Sequence, residues 1–282
     1  VRAETAGRLY VVATPIGNLG DVTARAVEVL AGTPLVAAED TRRFRRLAGR
    51  AGIEARAVSF HARNAARRMP GLLAHLRAGQ DLALVTDAGT PGVSDPGAEL
   101  VGAWRAEGGV VVPVPGPSSV TAAISATGIA GPRWVFEGFL PRRGRERRER
   151  VAALAADRRG AVLFESPDRV AATIDDLASA CGPERPAAVC RELTKLHEQI
   201  VVANLGLLGG LLADGAIPTR GEFVIVLGMG EPVIAPPDDD ADAETAARLE
   251  VDRLTERGLA RTEAARRVAR ERGLSRRRLY RG

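Results

Sequence analysis

The chain is poor in the residues that announce the commonest chemistries. Aromatic residues make up 4% of it, against 45% apolar residues overall, so any core is mainly aliphatic. Its two cysteines, Cys181 and Cys190, lack the C-x-x-C spacing of redox or zinc sites. Cys190 ends the apolar run Ala187–Cys190, where a cysteine acts as a small core residue. The three histidines, His61, His75 and His197, are too scattered to form a metal set. No apolar run approaches the roughly 18 residues of a membrane span. Val1–Thr5 carries no apolar signal region, and the expected compartment is the cytoplasm. The G-x-G-x-x-G fingerprint and the P-loop lysine pattern are both missing, which argues against a nucleotide polyphosphate as ligand. Lysine is almost absent: of 40 Lys and Arg residues, only Lys195 is a lysine.

What is present is arginine, unevenly spread. The chain has 282 residues and a net charge of +5. Arg142 to Arg150 holds six Arg against Glu146 and Glu149. Arg266 to Arg281 holds eight Arg against Glu271. Two basic blocks in an otherwise mixed chain favour a polyanion partner, with nucleic acid the first candidate.

Apolar runs and amphipathic stretches alternate in the first half. Strands are expected at Leu9–Ala13, Leu35–Ala38, Arg56–Ser59, Leu82–Thr86 and Val110–Val114. Helices are expected at about Thr23–Leu30, Arg43–Ala51, Arg63–Arg77, Pro96–Glu107 and Ser118–Thr127. This alternation means a mostly parallel sheet with helices on both faces. After a hinge at Gly128–Arg133, the alternation is less regular and implies a second, mixed α/β domain with some antiparallel pairing. Domains are therefore expected at 7–130 and 131–229. Met229–Asp242 reads as an acidic, Pro-containing linker to a basic helical tail, 244–282. Helices are expected there at Glu244–Glu256, Arg261–Arg272 and Ser275–Tyr280, the middle one starting near Thr262 and stopping at Gly273.

The loops at strand ends carry the chemistry. Asp87–Gly97 (DAGTPGVSDPG) follows an apolar strand and precedes a helix. It is longer than the roughly 2–6 residues of an ordinary βα turn. In open α/β sheets ligands bind at that end of the strands. Thr14–Asp21 (TPIGNLGD) follows the first strand, and Pro15 removes a donor where a phosphate cradle would need N–H groups. Glu39–Arg42, Pro115–Ser119, Glu165–Pro167, Arg191–Glu198 and Gly221–Phe223 are further polar strand ends. Ser118 or Ser119 can cap the helix it opens. So many polar strand ends imply a cleft.

These motifs, in order and spacing from about Gly7 to Gly228, resemble the bacterial small-subunit ribosomal RNA cytidine 2′-O-methyltransferases of the tetrapyrrole methylase superfamily. The resemblance implies a two-domain α/β homodimer that binds S-adenosylmethionine between its domains and methylates a cytidine ribose of small-subunit ribosomal RNA near the decoding centre. Porphyrin-precursor methylases read Gly-Asp-Pro where this chain has Gly89-Thr90-Pro91, which speaks against a tetrapyrrole substrate. Carried over by position, Asp87, Gly89, Thr90, Pro91, Val93, Ser94, Ser118 and Ser119 are similar to cofactor contacts, and Pro15 lines the cleft between cofactor and acceptor. Lys195 is the expected catalytic cation or base, assisted by a carboxylate, Asp40 first and Glu165 next. Arg42, Arg142, Arg143, Arg145, Arg147 and Arg148 are the expected RNA contacts. The competing readings are a methyltransferase of the same fold acting on a small tetrapyrrole-like substrate, and a non-catalytic nucleic-acid-binding protein.

Overall fold

The computed structural model describes residues 6–230, 239–256 and 258–272. The chain divides into two compact units, Val1–Glu231 and Pro232–Gly282.

In the first half of unit 1, strands and helices alternate: β1 (Leu9–Val12), α1 (Ala24–Gly32), β2 (Leu35–Ala38), α2 (Thr41–Ala51), β3 (Ala57–Ser59), α3 (Ala65–Arg77), β4 (Leu82–Val85), α4 (Ala98–Ala106), β5 (Val111–Val114) and α5 (Ser119–Thr127). The five strands form one parallel sheet in the order β3-β2-β4-β1-β5. The apolar runs are continuous because both faces are covered. Within β4, Ala83 and Val85 pack with Leu30, Phe44 and Ala48 of α1 and α2. Leu82 and Leu84 point the other way, onto Leu72, Leu76, Leu100 and Trp104 of α3 and α4. The connections leaving β1 and β4 therefore run on opposite faces of the sheet. The crevice at the carboxyl ends of these neighbours is a topological switch point, where such sheets bind ligands.

The second half contains β6 (Trp134–Phe139), α6 (Gly144–Ala156), β7 (Gly160–Glu165), α7 (Val170–Cys181), β8 (Pro186–Arg191), β9 (Gln199–Asn204), α8 (Leu205–Ala213) and β10 (Phe223–Leu227). Their sheet has the order β6-β7-β10-β8-β9, with β6 parallel to β7 and the other pairs antiparallel. Leu154, Ile174, Leu177 and Leu208 of α6, α7 and α8 cover one face. The other face packs Val162, Ala188, Cys190 and Val224 against Val120 and Ala123 of α5. This shared core joins the two sheets into one unit and fixes the strand-end loops of one against those of the other. Cys190 lies within it, and burial pushes its thiol up to about 12.

Unit 2 is a helical pair, α9 (Asp239–Glu256) and α10 (Arg261–Arg272), closed over Ala247, Val251, Ala264, Ala265 and Val268. The expected linker Met229–Asp242 is shorter than read, because α9 begins at Asp239 rather than Glu244. Helix α10 begins at Arg261, one residue before Thr262. The expected stop at Gly273 and helix at Ser275–Tyr280 lie outside the described residues. Among the described residues, no helix is long and apolar enough to cross a membrane.

Candidate active site

Two loops of the parallel sheet are tied directly together. Thr14 and Gly89 form an antiparallel bridge, with N–H to O distances of 2.9 and 3.0 Å. The Thr14 hydroxyl donates to Thr86 O at 3.1 Å. Gly89 holds φ +82°, a conformation glycine adopts without penalty. Thr90 Oγ1 donates to Pro117 O at 3.2 Å and so brings in the loop after β5. Pro15 and Pro91 are buried in this junction, and Val93 packs into the core shared by the two sheets.

The ends of β2 and β4 clasp each other through their acids. Glu39 Oε2 accepts from Asp87 N at 3.2 Å, and Asp87 Oδ1 accepts from Asp40 N at 3.0 Å. Asp95 sits beside them. Burial, with the charges of Glu39 and Asp87 adding, pushes its carboxyl up to about 6 against the opposing Thr86 hydroxyl. The motif contained Asp95, but only the neighbouring loops reveal its environment.

The segment after β8 is strained. Glu192 and Thr194 hold φ of +52° and +65°, and Ser94 in the facing loop holds +61°; these are the three non-glycine residues with positive φ among the described residues. Such outliers gather where surrounding structure over-determines them, as in ligand clamps. Arg191 fixes the segment by donating to Arg220 O and His197 O. Lys195 Nζ lies 2.7 Å from Glu192 Oε1 and 3.0 Å from Glu222 Oε2. Burial pulls the Lys195 pKa down, but the hydrogen bonds and charges of Glu192 and Glu222 outweigh it, and the net direction is up. Lys195 is therefore a charged ammonium in this arrangement, not a neutral base. Burial opposes the ionised form of Glu192, but its bonds to Lys195 and Glu222 N hold its pKa below the ordinary value.

These elements enclose two adjoining cavities. One, of about 460 Å³, is lined by Thr14, Pro15, Asp40, Asp87, Lys195 and Glu222, among others. The second, of about 390 Å³, has the apolar walls Phe139, Phe164, Leu193 and Phe223. Its polar lining includes Ser94, Ser119 and five carboxylates, Glu39, Asp87, Asp95, Glu165 and Glu222, against one cation, Arg43. An apolar, acid-rimmed cavity suits an aromatic ligand bearing positive charge and repels phosphate.

Several expected site residues are otherwise engaged. Asp40 caps α2, accepting from Arg42 N at 2.8 Å and from the Arg42 guanidinium. That guanidinium holds the Asp40 carboxyl well below the usual carboxylate range, which makes it a weak base. Arg42 in turn spends its charge on Asp40. Glu165 is 2% exposed and accepts from Thr173 Oγ1, Ser166 N and Arg169. Its carboxylate fixes the β7–α7 turn, so both expected carboxylates hold local structure. Ser118 occupies the cap position of α5, but its side chain makes no capping bond. Arg147 is tied to Asp176, Thr173 Oγ1 and Pro141 O, a packing role that leaves it little charge for RNA. Arg145 pairs with Glu149. Arg142, Arg143 and Arg148 are exposed along a groove at α6, apart from the cleft.

Residues 8–208 match the family model described as tetrapyrrole (corrin/porphyrin) methylases. The chain is similar to the ribosomal RNA small subunit methyltransferase I of Synechocystis sp., with 43% identity over 97% of this chain and 96% of that protein. The protein of that name from Escherichia coli O157:H7 is 42% identical over 78% of this chain and 77% of its own length. Among solved structures, the uroporphyrin-III C-methyltransferase of Thermus thermophilus complexed with S-adenosylhomocysteine superposes with a TM-score of 0.56 at 19% identity, over 79% of this chain and 97% of that one. That last likeness is one of fold. The clasped strand-end loops, the acid-rimmed cavity and the extent of these identities agree: the chain belongs to the tetrapyrrole methylase family, in its branch of small-subunit ribosomal RNA methyltransferases I.

Proposed function

We propose that the chain transfers a methyl group from S-adenosylmethionine to the 2′-hydroxyl of a cytidine ribose in small-subunit ribosomal RNA, near the decoding centre. The observation that carries this reading is the 43% identity to a ribosomal methyltransferase across 97% of the chain. A small tetrapyrrole-like substrate is the weaker alternative, since the structures that resemble the chain and act on such rings are about one-fifth identical to it. The acid-rimmed cavity fits the cofactor, which has an aromatic base, two positive centres and no phosphate. Ser94, Asp95, Ser119 and the Phe139–Phe164 wall would hold it. When bound, S-adenosylmethionine supplies an activated methyl group on a sulfonium.

The chain's own residues then have three tasks. The Thr14–Gly89 and Thr90–Pro117 ties fix the loops so that cofactor and acceptor meet at one angle. Ile16, which lines both cavities, would keep water from their junction, with Pro15 beside it on the wall of the first. Lys195 presents a charged ammonium where negative charge grows on the attacking oxygen, the most effective single kind of help a site can give. Glu192 aims that ammonium, and Glu222, whose carboxylate has Lys195 as its one described side-chain partner, takes the hydroxyl proton. A ribosomal substrate agrees with a cytoplasmic site of action, and we propose a homodimer on the family resemblance. Incubation of methyl-labelled cofactor with isolated small subunits and, in parallel, with a porphyrin precursor tests the reading: label retained on a cytidine 2′-oxygen supports it, and label on the precursor alone refutes it.

A further inference from the structure

The lining of the cleft changes sign on passing Lys195. Inside lies the cavity with five carboxylates and one arginine. Outside, an open groove of about 1000 Å³ runs from Gly17 to Leu196 without a carboxylate in its lining, and its charged residues are Arg50 and Lys195. Helix α2 forms its edge. Arg43, Arg46 and Arg50 stand at i, i+3 and i+7, which places them on one side of the helix over about 10 Å at 1.5 Å per residue. Arg43 and Arg46 line the cavity that contains Lys195, and Arg50 continues into the groove. Phe44 and Ala48 bury the adjoining side of the helix, and Leu47, buried among the arginines, lines both the cavity and the groove, so the ladder is held at their edge. Arg46 and Arg50 make no ion pair with any described residue, unlike Arg42 and Arg43. Across the groove, Leu19 and Leu196 are 40% and 93% exposed. They give the groove that Lys195 lines two exposed apolar side chains.

We propose that this groove is the track of the acceptor strand, taken as single-stranded RNA, with Arg46 and Arg50 on its phosphates and Leu19 and Leu196 against its bases. The proposal rests on the RNA reading above and adds the path and state of the substrate. The charge reversal sorts the two ligands: the cationic cofactor belongs to the acidic cavity and the polyanion to the basic groove. Unpaired bases follow from the leucines, because in a duplex no base face is free to meet them. The expected basic block on α6 is not part of this track.

The test compares Arg46→Glu/Arg50→Glu with Arg67→Glu/Arg68→Glu, which makes the same charge change on exposed residues of α3, on the other face of the sheet. Cofactor titration and thermal melting confirm that each variant is folded. Affinity for a fluorescein-labelled 12-nucleotide single strand, and for a duplex of equal length, is measured across salt concentrations. Each lost phosphate contact should lower the single-strand salt slope by about 0.7, so the groove variant loses about 1.4 relative to the control. Its KM for small subunits should rise tenfold or more, with cofactor affinity unchanged. Leu196→Ser should weaken single-strand binding without moving the slope. A groove variant that matches the control in slope and KM overturns the proposal, as does a preference for duplex. A raised KM with an unchanged RNA slope overturns it too, and points to a ribosomal protein in the groove. Failure of the wild-type chain to methylate small subunits would instead sink the functional reading, and the RNA slopes would still decide the groove.

Discussion

Gly17→Ala is the mutation that separates positioning of Lys195 from its chemistry. Gly17 lies in the loop after β1, outside the left-handed region, so alanine's backbone is unstrained there. Its added Cβ, however, would meet Lys195 Cγ inside contact distance, Thr194 Oγ1 at 2.9 Å and Leu193 O at 3.0 Å, where ordinary contact begins at 3.4 Å. Two of the three obstacles are the backbone and the short Thr194 side chain, which accepts from Asn18 N at 3.0 Å and cannot swing aside freely. The segment must retreat, and the stem of Lys195 with it, by roughly 1 Å, a shift on the scale that costs about 10²-fold in rate. That is about 2.7 kcal/mol on the barrier, at 1.36 kcal/mol per decade. Overpacking should cost about 1–3 kcal/mol of stability, offset in part by the roughly 0.4–1 kcal/mol that Gly→Ala gains through the unfolded chain. The protein therefore stays folded. Single-turnover methyl transfer to small subunits, at saturating cofactor, is the assay. Gly102→Ala in α4, where a Cβ has nothing within 4 Å, is the control. The expected result is a rate lower by about two decades with cofactor affinity within a few-fold of wild type. Wild-type turnover in Gly17→Ala would mean that the position of Lys195 does not matter, and the account of the ammonium would fail.

Three other outcomes follow from the site. Lys195→Ala should lower turnover by about 10²-fold or more with cofactor affinity retained, and Lys195→Arg should not restore it, because the larger fork cannot sit between Glu192 and Glu222; full rescue by arginine would reduce the role of Lys195 to bulk charge. Asp95, raised to about 6 from an ordinary 3.8, is neutral below that pH and charged above it. Cofactor affinity should accordingly strengthen as pH rises through about 6, and calorimetric titration of Asp95→Asn should find that rise gone. The stability of the ligand-free protein moves the other way: a raised acid favours the fold below pH 3.8, and that contribution is lost as pH climbs from 3.8 to about 6. Asp95→Asn should therefore melt at a higher temperature than wild type at pH 7, and an equal or lower midpoint contradicts the placement of Asp95 among Glu39 and Asp87.

The parallel sheet was readable from the chain because strands buried on both faces have to be continuous apolar runs, as Leu82–Val85 is. The cleft was readable because loops of eight to eleven residues rich in Gly and Pro cannot be element interiors. Charge partners were not readable. Arg147 and Arg148 are equivalent in sequence, yet only Arg147 meets Asp176 and Thr173, which fold in from α7. Asp40 and Glu165 look like catalytic acids until their donors are known. On α2 the pattern TRRFRRLAGR carries apolar and arginine positions at helical spacing, a signal present in the sequence, but the groove that α2 borders is formed with loops distant in the chain and was not readable there. Asp95 gave no signal of its own, since its perturbation comes from Glu39 and Asp87 on other loops.

The central claim is that a charged Lys195, aimed by Glu192 and with Glu222 as the proton acceptor, beside an acid-rimmed cofactor cavity, drives methylation of a ribose in small-subunit RNA. The most direct test is to incubate isolated small subunits with methyl-labelled S-adenosylmethionine and either wild-type protein or Lys195→Ala, and to map the label to base or ribose. The account predicts label on one cytidine 2′-oxygen with wild type, and incorporation slower by about two decades or more with Lys195→Ala. Label on a nucleobase, or equal incorporation by the two proteins, would contradict it.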